Sequence, residues 1–202
     1  MLDRNRNHSD MEHTKERIGL SRDLLGRELD VMRHFDHIRR YQLVKRYCFG
    51  KVVDAACGVG YGSHLLSNNP DITGIVGVDN SAEALAMANA EYADAKTTFV
   101  RQDVTELDMP CDTFVSIETI EHVGDLKAYA AAIRRCSPSV AVISFPDKAS
   151  THFNEFHLHD LKRQDVVDLM EGYCCVREIE ENDVKILVFV RLDDNVPSHI
   201  FR

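Results

Sequence analysis

The stretch Val52 to Gly62 reads Val-Val-Asp-Ala-Ala-Cys-Gly-Val-Gly-Tyr-Gly, and it constrains the fold of the chain more than any other. A short apolar run ends at Asp54. Glycines at 58, 60 and 62 then make a turn whose backbone approaches a ligand closely, because no Cβ blocks it. A second apolar run, Ile72 to Val78, ends in Gly-Val-Asp at Asp79. That acid falls roughly 20 positions past the first glycine, the interval at which a βαβ unit presents a carboxylate to a ribose diol. The two runs together predict a crevice for a nucleoside.

The glycine spacing is Gly-x-Gly-x-Gly. A dinucleotide turn, Gly-x-Gly-x-x-Gly, sets its glycines under a pyrophosphate and aims a helix N-terminus at it. Asp54 beside the turn repels a pyrophosphate and suits a ligand with a positive group at that end. A phosphate loop needs Gly-Lys followed by Ser or Thr, which the chain lacks. A nicotinamide-dependent dehydrogenase is therefore disfavoured.

Downstream, apolar runs and helical patterns alternate. Strands are expected over 51–54, 72–78, 97–101, 113–117 and 140–145, and helices over 61–67, 82–93, 126–136 and 160–171. The runs 174–179 and 185–192, joined by a short polar link, predict an antiparallel hairpin. Ser81 is placed to cap one helix and Pro138 to stop the next. Upstream, apolar residues recur at near-helical spacing from His13 to Tyr47, which reads as two helices covering the open edge of the core. Residues 1–12 are expected to be disordered. The expectation is one domain over 13–202, a helical cap (13–47) on a Rossmann-like α/β core (48–202). Its doubly wound sheet has seven strands, mostly parallel with one antiparallel, and helices on both faces. Asp54, Asp79, Asp103, Glu118 and Pro146 all fall at strand carboxyl ends, where ligands bind in such sheets.

Composition narrows the partners. The chain has 202 residues, 44% apolar and 28% charged, which is globular. No run of 18 apolar residues exists and the first ten residues lack a secretory apolar core, so a cytoplasmic protein without membrane contact is expected. The six cysteines show no Cys-x-x-Cys pair, which predicts neither a zinc cluster nor a disulfide framework. Net charge is −9, split as +3 over residues 1–50 (11 basic, 8 acidic) and −12 beyond (13 basic, 25 acidic). An acidic body argues against nucleic acid, which selects a basic stripe, and favours a small-molecule partner.

Arg40-Tyr41, Gly50 to Gly62, Gly77-Val78-Asp79-Asn80-Ser81, Arg101-Gln102-Asp103-Val104 and Ser116-Ile117-Glu118-Thr119-Ile120-Glu121-His122-Val123 resemble class I S-adenosylmethionine-dependent methyltransferases. The look is that of the methyltransferase-domain group that includes the ubiquinone-biosynthesis O-methyltransferases, and it runs from about Arg39 to about Met170. The resemblance implies S-adenosylmethionine as cofactor. It places Asp79 on both ribose hydroxyls, Asn80 beside the ribose or adenine, Asp103 on the adenine amino group and the Val104 N–H on the ring. It places Asp54 and the carbonyls near Ala55 at the ammonium group, and Gly58 and Gly60 under the methionine moiety. Glu118 would meet the methionine part, and Arg40 and Tyr41 would reach over its carboxylate. Ala56 stands where the family often has glycine, a departure that costs little if φ is negative there.

Methyl transfer needs an acceptor held near ~3 Å and aligned, and a hydroxyl acceptor also needs a base, which histidine supplies near neutral pH. His122 is the first candidate. His157, with His159 beside it, is the second, in a loop from Thr151 to Asp160 that holds three histidines and two phenylalanines fit to wall an acceptor pocket. The expected activity is O-methylation of a small acceptor such as a sugar or quinone-like ring, by a chain able to form a homodimer, with no metal. Two alternatives stand beside it. Glu118, Glu121, His122 and a later histidine resemble the metal-binding set of small-RNA 3′-end 2′-O-methyltransferases. The other is a non-catalytic S-adenosylmethionine-binding regulatory subunit.

Overall fold

The computed structural model describes residues 35–152, 154–192 and 196–201. The expected disordered start and the first part of the helical cap lie outside the described residues. The chain enters as helix α1 (Phe35–Val44), continued by a 3-10 turn (Lys45–Tyr47). Seven strands follow: β1 (Gly50–Ala55), β2 (Ile72–Asp79), β3 (Thr97–Arg101), β4 (Thr113–Ser116), β5 (Val140–Pro146), β6 (Tyr173–Glu181) and β7 (Val184–Arg191). Between them run α2 (Tyr61–Ser67), α3 (Ala82–Tyr92), α4 (Leu126–Cys136) and α5 (Arg163–Leu169). The sheet order is β3-β2-β1-β4-β5-β7-β6. All neighbours pair in parallel except β7, which is antiparallel to both β5 and β6. This is the doubly wound sheet that the alternation predicts.

Strand period explains the two layers, because successive side chains leave opposite faces. Val52, Val115, Val140, Val142, Ile186 and Val188 join one buried cluster with Tyr41 of α1, Leu66 of α2 and Tyr92 of α3. Their neighbours Val53, Phe114, Ala141, Ile143, Leu187 and Phe189 join the other, with Tyr129 and Ile133 of α4 and Val166 of α5. A one-residue slip of any inner strand would exchange these sets, so register is strongly specified.

The helices begin and end where local chemistry permits. The Ser81 side chain accepts from the Ala84 N–H at 3.2 Å, and Asp125 accepts from the N–H groups of Lys127 and Ala128 at 3.0 and 2.9 Å. Both are ordinary N-caps, typically worth ~1 kcal/mol each. Helix α4 ends at Cys136, where Ser137 turns left-handed at φ 52° one residue before Pro138. No helix among the described residues is long and apolar enough to cross a membrane.

Candidate active site

The strand order reverses at β1 and β4, so their carboxyl ends open a crevice at the switch point. A cavity of about 1090 Å³ lies there. Its lining draws on the turn after β1 (Ala56 to Val59), the ends of β2 and β3 (Asp79, Asn80, Asp103, Val104), the segment after β4 (Ile117 to Asp125) and the loop after β5 (Asn154 to Leu158).

Asp79 is 3% exposed and its carboxylate is fixed by two backbone donors: Gly58 N–H at 2.9 Å to Oδ2 and Ser81 N–H at 2.8 Å to Oδ1. Each carboxylate oxygen retains capacity for a further donor, so the group can still accept from a diol. Gly58 has φ +56° and a Cβ there would meet nothing within 4 Å, which means the missing side chain would stand in open space. Asp103 accepts from the N–H and hydroxyl of Thr105 at 2.8 and 2.6 Å, and the Asn80 carbonyl accepts from Arg101 Nε at 3.0 Å.

Two residues flanking the switch point take backbone angles that L side chains avoid. Ala56 follows β1 at φ 58° and Glu118 follows β4 at φ 51°. The left-handed region costs a non-glycine residue roughly 1–2 kcal/mol. The condition under which alanine at 56 would cost little, a negative φ, is not met, and glycine would be the unstrained residue there. Glu118 is held by Ser144, whose Oγ accepts from the Glu118 N–H and donates to its Oε1, both at 2.8 Å.

Arg40, Asp54, Ala55 and Gly60, expected at the cofactor, do not line the cavity. Asp54 is fully buried beneath the turn. Its Oδ2 accepts from the Ser63 hydroxyl at 2.6 Å and its Oδ1 from the Tyr41 hydroxyl at 3.2 Å. Burial pushes its carboxyl up to about 7, the Ser63 and Tyr41 hydrogen bonds oppose the rise, and the charge on Asp79 adds to it. Asp54 is therefore the anchor of the turn, not its ligand face. Tyr41 lines the cavity while it donates to Asp54. Arg40 is 6% exposed and its Nη1 sits 3.8 Å from Glu118 Oε2. Ala55 is fully buried at the strand end. Gly60 serves packing: a Cβ would lie 2.8 Å from both the Ala88 Cβ and the Phe99 ring.

His122 and His157 meet in the same lining. Their ring centroids are 4.8 Å apart, edge to face. His122 Nδ1 lies 2.9 Å from the Phe156 carbonyl, and its Nε2 lies 3.9 Å from Glu121 Oε1. Glu121 is 1% exposed. Leu158 N–H donates to the Glu121 carbonyl at 2.8 Å, and His159 Nε2 reaches the Val123 carbonyl at 2.9 Å. These bonds strap the loop after β5 onto the segment after β4. His159 is thereby committed to the strap and does not line the cavity. Phe156 and Leu158, 46% and 53% exposed, stand at the cavity wall; Phe153 is outside the described residues. His37, Tyr61 and Asp125 also line it without having been singled out in the sequence. For Asp125 a signal existed, a cap acid three residues past His122.

The fold and this crevice are similar to those of class I S-adenosylmethionine-dependent methyltransferase domains. Residues 52–139 match the family model described as methyltransferase domain. A probable S-adenosylmethionine-dependent methyltransferase of Mycolicibacterium smegmatis is 27% identical over 144 residues, 65% of this chain and 54% of that protein. Magnesium protoporphyrin IX methyltransferase from Synechocystis PCC 6803, solved with bound SAH, superposes with TM-score 0.68 at 19% identity, over 84% of this chain and 91% of that one. The methyltransferase domain of a bacterial Hen1 superposes with TM-score 0.61 at 20% identity, over 81% of this chain and 100% of that one. These two structural likenesses show the fold. The chain spans about half the length of the curated relatives it matches, 54% and 56%.

Proposed function

We propose that this chain moves a methyl group from S-adenosylmethionine to a hydroxyl of a small acceptor. The observation that carries the reading is that one cavity is lined both by Asp79 and Gly58 and by the His122–His157 pair. The residues present fit the donor. Gly58 leaves open the space a side chain would fill, and Asp79 offers a fixed carboxylate toward a diol. The described lining contains six carboxylates, Asp79, Asp103, Glu118, Glu121, Asp125 and Glu155, and neither lysine nor arginine. That balance suits a cationic donor and disfavours an anionic polymer as acceptor.

When bound, the donor supplies an electrophilic methyl on a sulfonium. The chain's part is positional. Asp79, Asn80 and Asp103 hold the nucleoside end. Phe156 and Leu158 wall the acceptor and exclude water. An imidazole nitrogen of the histidine pair takes the hydroxyl proton as the acceptor oxygen is methylated. A sugar or quinone-like ring suits a lining that mixes apolar residues such as Phe156 and Leu158 with carboxylates.

Calorimetry with S-adenosylmethionine and, separately, NAD tests the donor. Wild type should bind only the former, and Asp79→Asn should weaken it about 10- to 100-fold, from the loss of one or two charge-assisted hydrogen bonds. Unchanged affinity in Asp79→Asn would refute the assignment of the nucleoside end. Release of S-adenosylhomocysteine from a library of hydroxylated acceptors then tests turnover, and its absence across the library would favour a regulatory subunit.

A second reading has its own observation. Glu121, His122 and His157 place candidate ligand atoms within 4.8 Å of one another. Glu118, expected in that set, is outside it, being engaged by Ser144. A divalent ion held by these three would activate an acceptor hydroxyl as a Lewis acid, including one on RNA. Titration of the metal-free chain with Mn²⁺ decides it: binding lost in His122→Gln and Glu121→Gln supports the ion, and no binding removes it.

A further inference from the structure

The two histidines at the acceptor wall are held by different kinds of partner. His122 Nδ1 faces the Phe156 carbonyl at 2.9 Å. A carbonyl only accepts, so in the neutral ring Nδ1 carries the hydrogen and Nε2 carries the lone pair. His157 Nδ1 instead faces the Ser150 hydroxyl at 2.5 Å. A hydroxyl can donate or accept, and its surroundings decide which. Ser150 is 3% exposed, and among the described residues its Oγ has no hydrogen-bond partner except His157. If His157 donated from Nδ1, the hydroxyl hydrogen of Ser150 would be buried with nothing to accept it, a state that folded proteins avoid. The hydroxyl therefore donates to Nδ1, and the hydrogen of neutral His157 resides on Nε2.

Ser150 itself is held firmly. Asp160 Oδ1 accepts from the N–H groups of Ser150 at 2.7 Å and Thr151 at 3.0 Å, and Oδ2 accepts from the Thr151 hydroxyl at 2.8 Å. The Asn154 N–H donates to the Ser150 carbonyl at 2.9 Å, and the His157 N–H donates to the Asn154 carbonyl at 3.1 Å. The loop is thus closed at its base by Asp160 and wound so that residues 150 and 157 face each other.

We propose that His122 and His157 hold opposite neutral tautomers, so that His122 is the proton acceptor and His157 the hydrogen-bond donor, with Ser150 the positioning residue that sets the second. The inference rests on the reading of this wall as the acceptor site and gives its two imidazoles unequal tasks. The rings touch edge to face, so an acceptor hydroxyl sits beside the pair rather than between its planes; it receives a hydrogen bond from His157 Nε2–H, which orients its oxygen, and gives its own proton to His122 Nε2. The oxygen gains the methyl carbon, the sulfur keeps the electron pair of the bond that breaks, and the proton ends on His122. The same arrangement disfavours an ion bound by both rings, because His157 in this tautomer offers it no lone pair at Nε2, and Nδ1 is taken by Ser150.

Long-range ¹H–¹⁵N correlation spectra of the ¹⁵N-histidine-labelled full chain test this without an acceptor. Spectra are taken at about pH 8.5, well above the ordinary histidine value. His122→Gln and His157→Gln assign the signals among the ten histidines. Wild type should show a protonated Nδ1 for His122 and a protonated Nε2 for His157. Ser150→Ala should move His157 to an averaged two-tautomer pattern and leave His122 in place, while Ser150→Thr, which keeps the hydroxyl, should restore the wild-type pattern. A protonated Nδ1 on wild-type His157 overturns the proposal even if Ser150→Ala fails to fold, and so does a His157 pattern that Ser150→Ala leaves unchanged. Calorimetry with S-adenosylmethionine on the same samples separates the two readings: wild type that fails to bind it overturns the methyltransferase reading while the tautomer result stands or falls by its own spectra.

Discussion

Replacing Asp54 with asparagine should flatten the dependence of this chain's stability on pH. The carboxyl is fully buried and is raised from 3.8 to about 7, chiefly by desolvation, with two hydroxyl hydrogen bonds opposing the rise. Between those two values the folded chain keeps the proton that the unfolded chain has lost. Stability from this group is therefore complete below the unfolded value and is lost as pH climbs through the folded one. A shift of about 3 units corresponds to ~4 kcal/mol in all, of which about 2–3 kcal/mol falls between pH 5 and pH 8. Asparagine keeps the volume. Its amide oxygen accepts from one hydroxyl, and its NH₂ donates to the other, since Ser63 and Tyr41 can each accept as well as donate. Urea denaturation of both proteins at several pH values measures the effect, provided that the slope m stays constant. Other titrating groups are common to both chains and cancel in the difference. The stability of Asp54→Asn minus that of wild type should rise by about 2–3 kcal/mol from pH 5 to pH 8. Parallel curves would mean that Asp54 is ionised in the folded chain at all these pH values, and the account of the buried anchor would fail.

Ala56→Gly should stabilise the chain, because it relieves φ 58°. The relief of about 1–2 kcal/mol less a glycine entropy cost of about 0.5–1 kcal/mol leaves a rise of roughly 1–4 °C in Tm by calorimetry, and a fall would contradict it. Gly62→Ala should destabilise by about 1–3 kcal/mol, since its Cβ would stand 2.1 Å from Cζ of Tyr41, and chemical denaturation that finds no loss would show that α1 is not packed there as described.

The sheet was legible because the strands feed two cores. Val52 and Val53, or Val142 and Ile143, read as continuous apolar runs, which is the mark of strands buried on both faces. Strand ends slipped by a residue or two: β4 stops at Ser116, and Ile117 belongs to the turn that places Glu118. Asp79 was legible from its distance to the glycines, since spacing along a βαβ unit fixes where that acid emerges. Asp54 was not. A carboxylate at a strand end can turn toward ligand or toward core, and its direction here depends on hydroxyls 13 residues before it and 9 after it, on two different helices. The strap between residues 121–123 and 156–159 was also invisible. One of its bonds is backbone to backbone, and the other two end on carbonyls, which every residue has, so no residue type announces the partners. Its chemically distinctive members, His122 and His159, showed in the sequence only as separate candidates.

Four of the six cavity acids share a feature that bears on the proposed ligand. Asp79 is fixed by the N–H groups of Gly58 and Ser81, Asp125 by those of Lys127 and Ala128, Asp103 by Thr105 and Glu118 by Ser144. Neutral donors orient a carboxylate without cancelling its charge, whereas a lysine or arginine would do both. Arg40 comes nearest to an exception, and it lies outside the lining at 3.8 Å from Glu118. The negative potential thus survives in a concave, partly desolvated space where field lines concentrate. Carboxylates there repel one another, which is a cost to the empty fold that a cationic ligand removes on entering. Strain points the same way: the two non-glycine residues with positive φ at the cavity, Ala56 and Glu118, follow the two strands that bracket the switch point. Backbone strain and a concentration of carboxylates thus meet at the one crevice where the proposed function seats a sulfonium donor.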